Sequence, residues 1–420
     1  MNDLPRLRAK FCITTTFSNL PLLLVLPLPS LLAQAVDPSV TLPYWEYTLD
    51  VEHIAKDHEG NFQHWKDLEI WSDKYFGKTN ADTATTDSGI FKEIDMFADP
   101  EYSVIVNAYG LIRSPWNQLS AARPVRYFGM GGDATNKVSG AVAPIASMMP
   151  TCSNLYTVAS TSMDMWTFTY KISQQAHGPI HLVTGGIAGT PKLLEFAKDL
   201  GVEDSGASHD HVWSKLGAFF LMVARAAYRY DLLDLPASGS CSIDAATGQP
   251  VSSVAGGSCT WSCDAKKVME SAIYTNVFEL YEFTGSFSDE NLFKLVDYFC
   301  TGQAAFGDHA TSSAAADPSF FPVHGTVERY MDMMRLSGAL TVGSWPARDQ
   351  CLFSTNVHPF KVKCAGHYGD DALLFGSVRG EAMTNEGYLK YLDPHTGEKP
   401  YVYDNFEFAH CVEAGYTIPT

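Results

Sequence analysis

Two histidines four residues apart open the chemistry of this chain. They lie in His177-Gly178-Pro179-Ile180-His181, which runs on into Leu182-Val183-Thr184-Gly185-Gly186. On a helix, positions i and i+4 share a face, so the spacing presents two imidazoles side by side. A metal ion with nitrogen ligands needs that arrangement. Pro179 would break a helix interior but fits a first turn, which predicts a helix starting near His177 with both rings at its mouth. Gly178 stands where the zinc-protease pattern H-E-x-x-H carries its general base, so that chemistry is excluded. Surface and core histidines show the same spacing, and the pair alone does not define a site.

A third imidazole comes from Asp317-Pro318-Ser319-Phe320-Phe321-Pro322-Val323-His324-Gly325-Thr326-Val327-Glu328-Arg329, which predicts a second helix with His324 in its first turn. Val327, Tyr330, Met331 and Met334 form its apolar stripe and read as core. Glu328 lies four residues after His324. Its carboxylate either orients a ligand imidazole from outside the metal sphere or makes a plain ion pair.

Taken together, H-x3-H-x3-G-G followed by D-P-x-F-x-x-x-H-x-x-V-E-R resembles the second copper site of the tyrosinase, catechol oxidase and hemocyanin superfamily. Leu42-Pro43-Tyr44-Trp45-Glu46-Tyr47 resembles that family's L-P-Y-W-D-W segment, and the motifs occur in the family's order over residues 42 to about 336. The resemblance implies a mainly α fold around a four-helix bundle, with ligands projecting inward from facing helices. It implies copper held by His177, His181 and His324, and oxidation of phenols or o-diphenols with dioxygen. Zinc would accept the same ligands.

The sequence departs from the family in four places. The family's first copper site precedes the P-Y-W segment, whereas here no histidine precedes His53. His53, His58 and His64 are spaced by five and six, share no helical face well, and read as solvated. The expected domain is therefore an incomplete type-3 copper bundle lacking its first-site helices. Either the gene model begins late, or the first half has been lost and a partner chain covers the exposed apolar faces. Val323 stands where tyrosinases often carry an extra histidine. Glu328 replaces the usual Asp. Gly178 stands where many monophenol-hydroxylating relatives have Asn, which implies diphenol oxidation over monophenol hydroxylation.

The elements that must position these residues are legible in outline. Residues 48–77 carry a helical pattern, and 78–160 read as loops and short strands around Arg113-Ser114-Pro115-Trp116-Asn117. Thr190 with Pro191 predicts a helix start, 211–234 a long amphipathic helix, and 264–284 and 289–304 further helices. Residues 236–263, rich in Ser, Gly and Cys, read as a disulfide-pinned loop. From about 345 the pattern turns to short strands and turns. The expected organisation is a signal peptide over 1–35, a copper-binding domain over 36–344 with an insertion around 187–310, and a small Cys-containing region over 345–420.

The signal reading rests on Arg6, Arg8 and Lys10, the apolar stretch Leu20 to Leu32, and Ala33-Gln34-Ala35 as cleavage site. That stretch is short for a membrane span and broken by prolines. No transmembrane segment is therefore expected in the mature chain. Of nine cysteines, Cys12 would leave with the signal and eight would remain, an even number that favours disulfides and secretion. Cys259 and Cys263 also read as half of a zinc site, but no matching pair lies nearby. Apolar residues make up 46% of the chain, enough for a sizeable core, and the net charge of −18 argues against nucleic acid as a partner. His209-Asp210-His211 reads as surface or capping, and Gly129 to Gly132 is too short to count as a nucleotide loop. Two functions remain open. One is a secreted copper oxidoreductase of the polyphenol oxidase type, and the other a non-catalytic secreted relative that binds copper or oxygen. A zinc or structural metal site on the same histidines is the third reading.

Overall fold

The computed structural model describes Asp37 and most of residues 43–417. Outside the description lie 1–36, 38–42, 58–61, 99–105, 129–148, 189–195, 201–218, 280–283, 302–304, 342–367, 379–380, 418–420 and a few single or paired positions. The expected signal peptide, Gly129 to Gly132, the Thr190-Pro191 start, His209 to His211, His58, Cys351 and Cys364 fall in those segments.

Among the described residues the chain is mostly helical, with small two-stranded sheets. Helix α1 (Tyr47–Asp57) follows the aromatic segment. Short 3-10 turns at Phe62–Asp67 and Glu69–Trp71 follow it, where the sequence pattern predicts continuous helix. Helix α2 (Cys152–Thr161) starts at Thr151, whose side chain accepts from the Asn154 N–H and so satisfies one open helix-end donor. Helix α3 (Met165–Lys171), a π-helical turn (Ile172–His177) and helix α4 (Gly178–Gly185) follow one another directly.

The span 187–310 contributes residues 219–229, which are helical. It also holds helix α5 (Ala265–Glu270), capped by Asp264, and helix α6 (Asp289–Cys300), capped by Ser288 with Asp289 and Glu290 in its first turn. Helix α7 (Phe320–Leu336) carries the third histidine. Helices α8 (Asn385–Tyr391) and α9 (Ala409–Glu413) lie towards the C-terminus, after the paired strands Ala372–Val378 and Glu381–Thr384.

Three disulfides link Cys152 to Cys411, Cys241 to Cys259, and Cys263 to Cys300. The loop over 236–263 is thus pinned as its composition predicts. Cys259 and Cys263 bond to different partners, which removes the zinc reading of that pair.

Two large buried clusters dominate the core of the described residues, beside two small ones. One gathers Trp45, Trp65, Trp71, Trp116 and Trp261 with Ile180, Val183 and Val323. The other gathers Leu155, Phe168, Ile172 and Ala176 with Val327, Tyr330, Met331 and Met334, and with Tyr388 and Phe408 of the C-terminal part. His177 falls between Ala176 of one cluster and Ile180 of the other, and His324 between Val323 and Val327. The histidines therefore stand where the two cores meet.

The apolar stripe of α7 is core, as its period predicts. Its polar face is buried as well, because each charged group there has a partner. Arg329 pairs with Glu46 at 2.6 Å and is sandwiched between the rings of Tyr44 and Phe408, its guanidinium 4.5 Å from each ring centre. Trp45 N–H donates to Pro322 O at 2.9 Å, and Thr326 Oγ1 donates to Trp45 O. A Cβ on Gly325 would come within 3.1 Å of Pro43 O and 3.2 Å of Tyr44 Cα. The missing side chain at 325 lets the Pro43-Tyr44-Trp45 segment lie directly on the helix beside His324.

Candidate metal centre

The π-helical turn decides how the first two ligands are presented. It inserts an extra residue per turn, and the Gly178 N–H donates to Ser173 O five residues back. As Pro179 predicts, α4 starts beside His177, which is its N-cap with Pro179 in the first turn, but a π turn and α3 lead directly into it. Its φ of −145° at His177 marks a break inside a longer helical run, and Pro179 sits just after that break. A Cβ at Gly178 would lie 2.4 Å from Ser173 O, so the π turn requires glycine there. Gly178→Ala is expected to destabilise the fold by about 1–3 kcal/mol through this overlap, read as a lowered urea midpoint. An unchanged midpoint would show that the turn tolerates a side chain.

Three imidazoles converge. Nε2 of His177 lies 2.8 Å from Nε2 of His181 and 3.1 Å from Nε2 of His324, and the last two are 3.0 Å apart. All three residues are buried and together could hold a metal ion. A close triangle of ring nitrogens cannot be satisfied by hydrogen bonds alone, because each N–H serves one neighbour and the remaining lone pairs face each other. A cation resolves this. Nitrogens about 2.0 Å from a common ion with these separations would subtend angles of about 90° at it, a three-nitrogen cap open on one side. The donor set and the spacing therefore fit a metal. Phe320 packs over the rings, its centroid 4.0 Å from that of His324 and 5.7 Å from that of His181.

The close approach of α4 to its neighbours explains the double glycine after His181. A Cβ on Gly185 would lie 2.3 Å from Ala310 N, and one on Gly307 2.0 Å from Gly185 O. Gly186, with φ +68°, ends the helix in a conformation that side chains disfavour. The chain then pairs Ile187–Ala188 with Ala305–Phe306 and brings the 3-10 turn Asp308–Ala310 against α4.

That turn carries His309, which the sequence reading did not single out. It is fully buried, and its backbone oxygen accepts from His181 Nδ1–H at 3.2 Å. Its Nδ1 lies 3.2 Å from His181 Nδ1 and its Nε2 2.8 Å from Ser319 Oγ. Behind it, Asp317 makes a two-pronged pair with Arg126 at 2.5 and 2.7 Å, with both side chains fully buried. A second such pair, Arg113 with Asp308 at 2.8 Å on both prongs, fixes the other end of the turn. Asp317 belongs to the D-P-x-F motif. No spacing rule ties His309 to His181, because a short strand pair brings them together.

Glu328 does not reach an imidazole. Its oxygens accept from Tyr401 Oη at 2.5 Å and Tyr403 Oη at 2.6 Å, and pair with Lys399 Nζ at 2.9 Å. A residue four positions after His324 on this buried helix has turned towards the C-terminal segment, away from the three imidazoles. Lys399 also contacts Asp332. His53 and His64 are exposed and pair with Asp57 at 2.8 Å and Asp67 at 3.5 Å. Among the described residues one other group has metal-ligand proximity, Cys152, His410 and Cys411. Its two sulfurs are bonded to each other, which excludes it.

Burial disfavours the charged form of every imidazole at the centre. It pushes His177 down to about 3, with nearby His309 adding to the shift. It pushes His309 down to about 4, against the pull of Asp317. His181 and His324 lie well below the usual range for the same reason. Near neutral pH the rings are therefore neutral, and their lone pairs are available. The unfolded chain, with its histidines near 6.5, binds more protons than the folded one below that value. Stability of the metal-free protein is thus fully present above about pH 6.5 and is lost as pH falls, the contribution of His309 ending near pH 4 and that of His177 near pH 3. Asp332 acts the other way, since burial raises it to about 6 against the opposing charge of Lys399. Burial raises Glu46 and Asp50 as well, and they act in the same sense as Asp332, but four imidazoles outnumber the three carboxyls. The urea midpoint of metal-free protein is expected to drop steadily between pH 6.5 and 4, and a flat profile would contradict this.

Comparison with protein-family models, curated proteins and solved structures finds no match to this chain.

Proposed function

We propose that the chain is a copper-dependent oxidoreductase of the tyrosinase and polyphenol oxidase type, acting on phenols or o-diphenols with dioxygen. In this reading His177, His181 and His324 hold one copper. The observation that carries it is the convergence of three buried Nε2 atoms, two from the α3–α4 run and one from α7, at separations that a shared cation reconciles. Imidazole donors suit copper, and the two histidine motifs that resemble the family supply the choice of copper over zinc. The bundle architecture is part of the same proposal. When bound, copper supplies the redox couple through which electrons pass from a phenol to dioxygen.

The protein's own contribution is presentation of three neutral imidazoles, orientation of His181 from behind, and exclusion of water by Phe320 and the two adjoining cores. Beside His177, Gly178 leaves no side chain to hold a proton-accepting water. The resemblance then favours diphenol over monophenol substrates. The three disulfides, and the finding that no helix among the described residues is long and apolar enough to cross a membrane, support a secreted protein.

A second reading, a non-catalytic copper- or oxygen-binding protein, is favoured by one observation. The described residues hold one histidine triad, whereas the resemblance implies two. Metal analysis of copper-reconstituted protein tests the site: one copper per chain is expected, and less than half an equivalent, or unchanged binding in His181→Ala, overturns it. Zinc in place of copper keeps the site and removes the redox role. Turnover of a catechol separates the enzyme from the non-catalytic relative.

A further inference from the structure

The hydrogen bonds behind the triad have a direction, and the direction can be read from the one group that only accepts. Asp317 is a carboxylate held by both prongs of Arg126, and that pairing outweighs burial to keep its pKa below the usual value. Its Oδ1 lies 2.8 Å from Ser319 Oγ and 3.0 Å from Ser319 N. An ionised carboxylate offers no proton, so the Ser319 hydroxyl must donate to it. With its proton spent there, Ser319 Oγ can only accept from His309 Nε2, 2.8 Å away. His309 Nε2 also leans towards Asp317 Oδ2 at 3.8 Å, which favours a proton on that nitrogen.

A neutral His309 with its proton on Nε2 has a bare Nδ1. That lone pair faces His181 Nδ1 at 3.2 Å, beside the His309 carbonyl oxygen at the same distance. Both are acceptors, so His181 must carry its proton on Nδ1. Its Nε2 is then a bare lone pair, directed at the other two Nε2 atoms. If the Ser319 hydroxyl turned to donate to His309 Nε2, His309 would carry Nδ1–H, which would compete with the His309 carbonyl oxygen for His181 Nδ1 and weaken the preference for His181 Nδ1–H.

We infer that Ser319, His309 and His181 form a directional hydrogen-bond relay, anchored by the Asp317–Arg126 pair, that holds the His181 proton on Nδ1, so that its Nε2 offers a lone pair towards a metal ion. Ser319 and His309 are positioning residues in this scheme, and the inference rests on the triad being a metal site. A direct histidine contact to a carboxylate would push negative charge towards the metal. A relay through a hydroxyl and a second neutral ring transmits the geometry while keeping the charge three groups away.

The tautomers are readable without metal. In 15N-histidine-labelled, metal-free protein, His181 is expected as the Nδ1–H form and His309 as the Nε2–H form. Ser319→Ala removes the hydroxyl without adding bulk. It is expected to mix the His181 tautomers and to weaken copper binding roughly 10- to 100-fold. Ser319→Thr, which keeps the hydroxyl, is expected to restore both. Wild-type His181 protonated on Nε2, or Ser319→Ala with unchanged tautomers, overturns the relay. A wild-type protein with the expected tautomers but no metal affinity overturns the triad reading instead and leaves the relay standing.

Discussion

Replacing His324 with alanine is expected to weaken copper binding more than about 100-fold, beyond what loss of an outer partner costs. It is also expected to change the stability of the metal-free protein little. Two effects oppose each other in the metal-free state. The ring leaves a small cavity, which destabilises. Its removal also relieves a triangle of nitrogens 2.8–3.1 Å apart whose hydrogen-bond needs conflict. With copper present the balance changes. Wild-type protein at a free metal concentration of about 100 times Kd gains about 2.7 kcal/mol, and the variant loses that gain. Thermal unfolding with and without copper is the measurement. A metal-induced rise in Tm that persists in His324→Ala would mean the cation binds elsewhere.

The second large effect concerns Asp317. Asp317→Ala is expected to cost about 3–5 kcal/mol, because it leaves the guanidinium of Arg126 buried without its counter-charge. Both side chains of this pair are fully buried, which removes the solvent screening that makes surface pairs weak. The double variant Arg126→Met with Asp317→Ala is expected to recover only part of the loss. Arg126 also donates to the carbonyls of Phe76 and Gly77 at 3.1 and 3.2 Å, and these would lose their donor. Urea denaturation of the two variants measures the difference. Equal stability of Asp317→Ala and wild type would show that water enters and solvates the guanidinium.

The part of the site that follows helical period was legible in the sequence. His177 and His181 are four apart, and His324 lies in a motif with its own apolar stripe. What brings them together is long-range packing, which spacing does not encode; the ordered pair of motifs was the only guide. The π turn ahead of α4 was not legible. Its one trace is Gly178, which reads as a missing side chain but is a close approach to Ser173 O. Of the two readings of Glu328, the ion pair is the one seen. Four residues along a helix is one face only on average, and α7 is buried all round, so the carboxylate answers to Tyr401, Tyr403 and Lys399 instead. His309 left no local signal. The helical content followed from pattern, with breaks over 62–71 where short 3-10 turns replace an expected helix.

The bond between Cys152 and Cys411 spans 259 positions and encloses His177, His181, His309 and His324. These histidines therefore belong to one covalent ring. A protease that cuts the backbone once anywhere between the two cysteines opens the ring but yields no fragments. The nicked chain keeps its mass on a gel run without reductant, and the pieces bearing His181 and His324 stay joined. Cutting alone would leave the triad's members tethered, and only cutting followed by thiol treatment would let them diffuse apart.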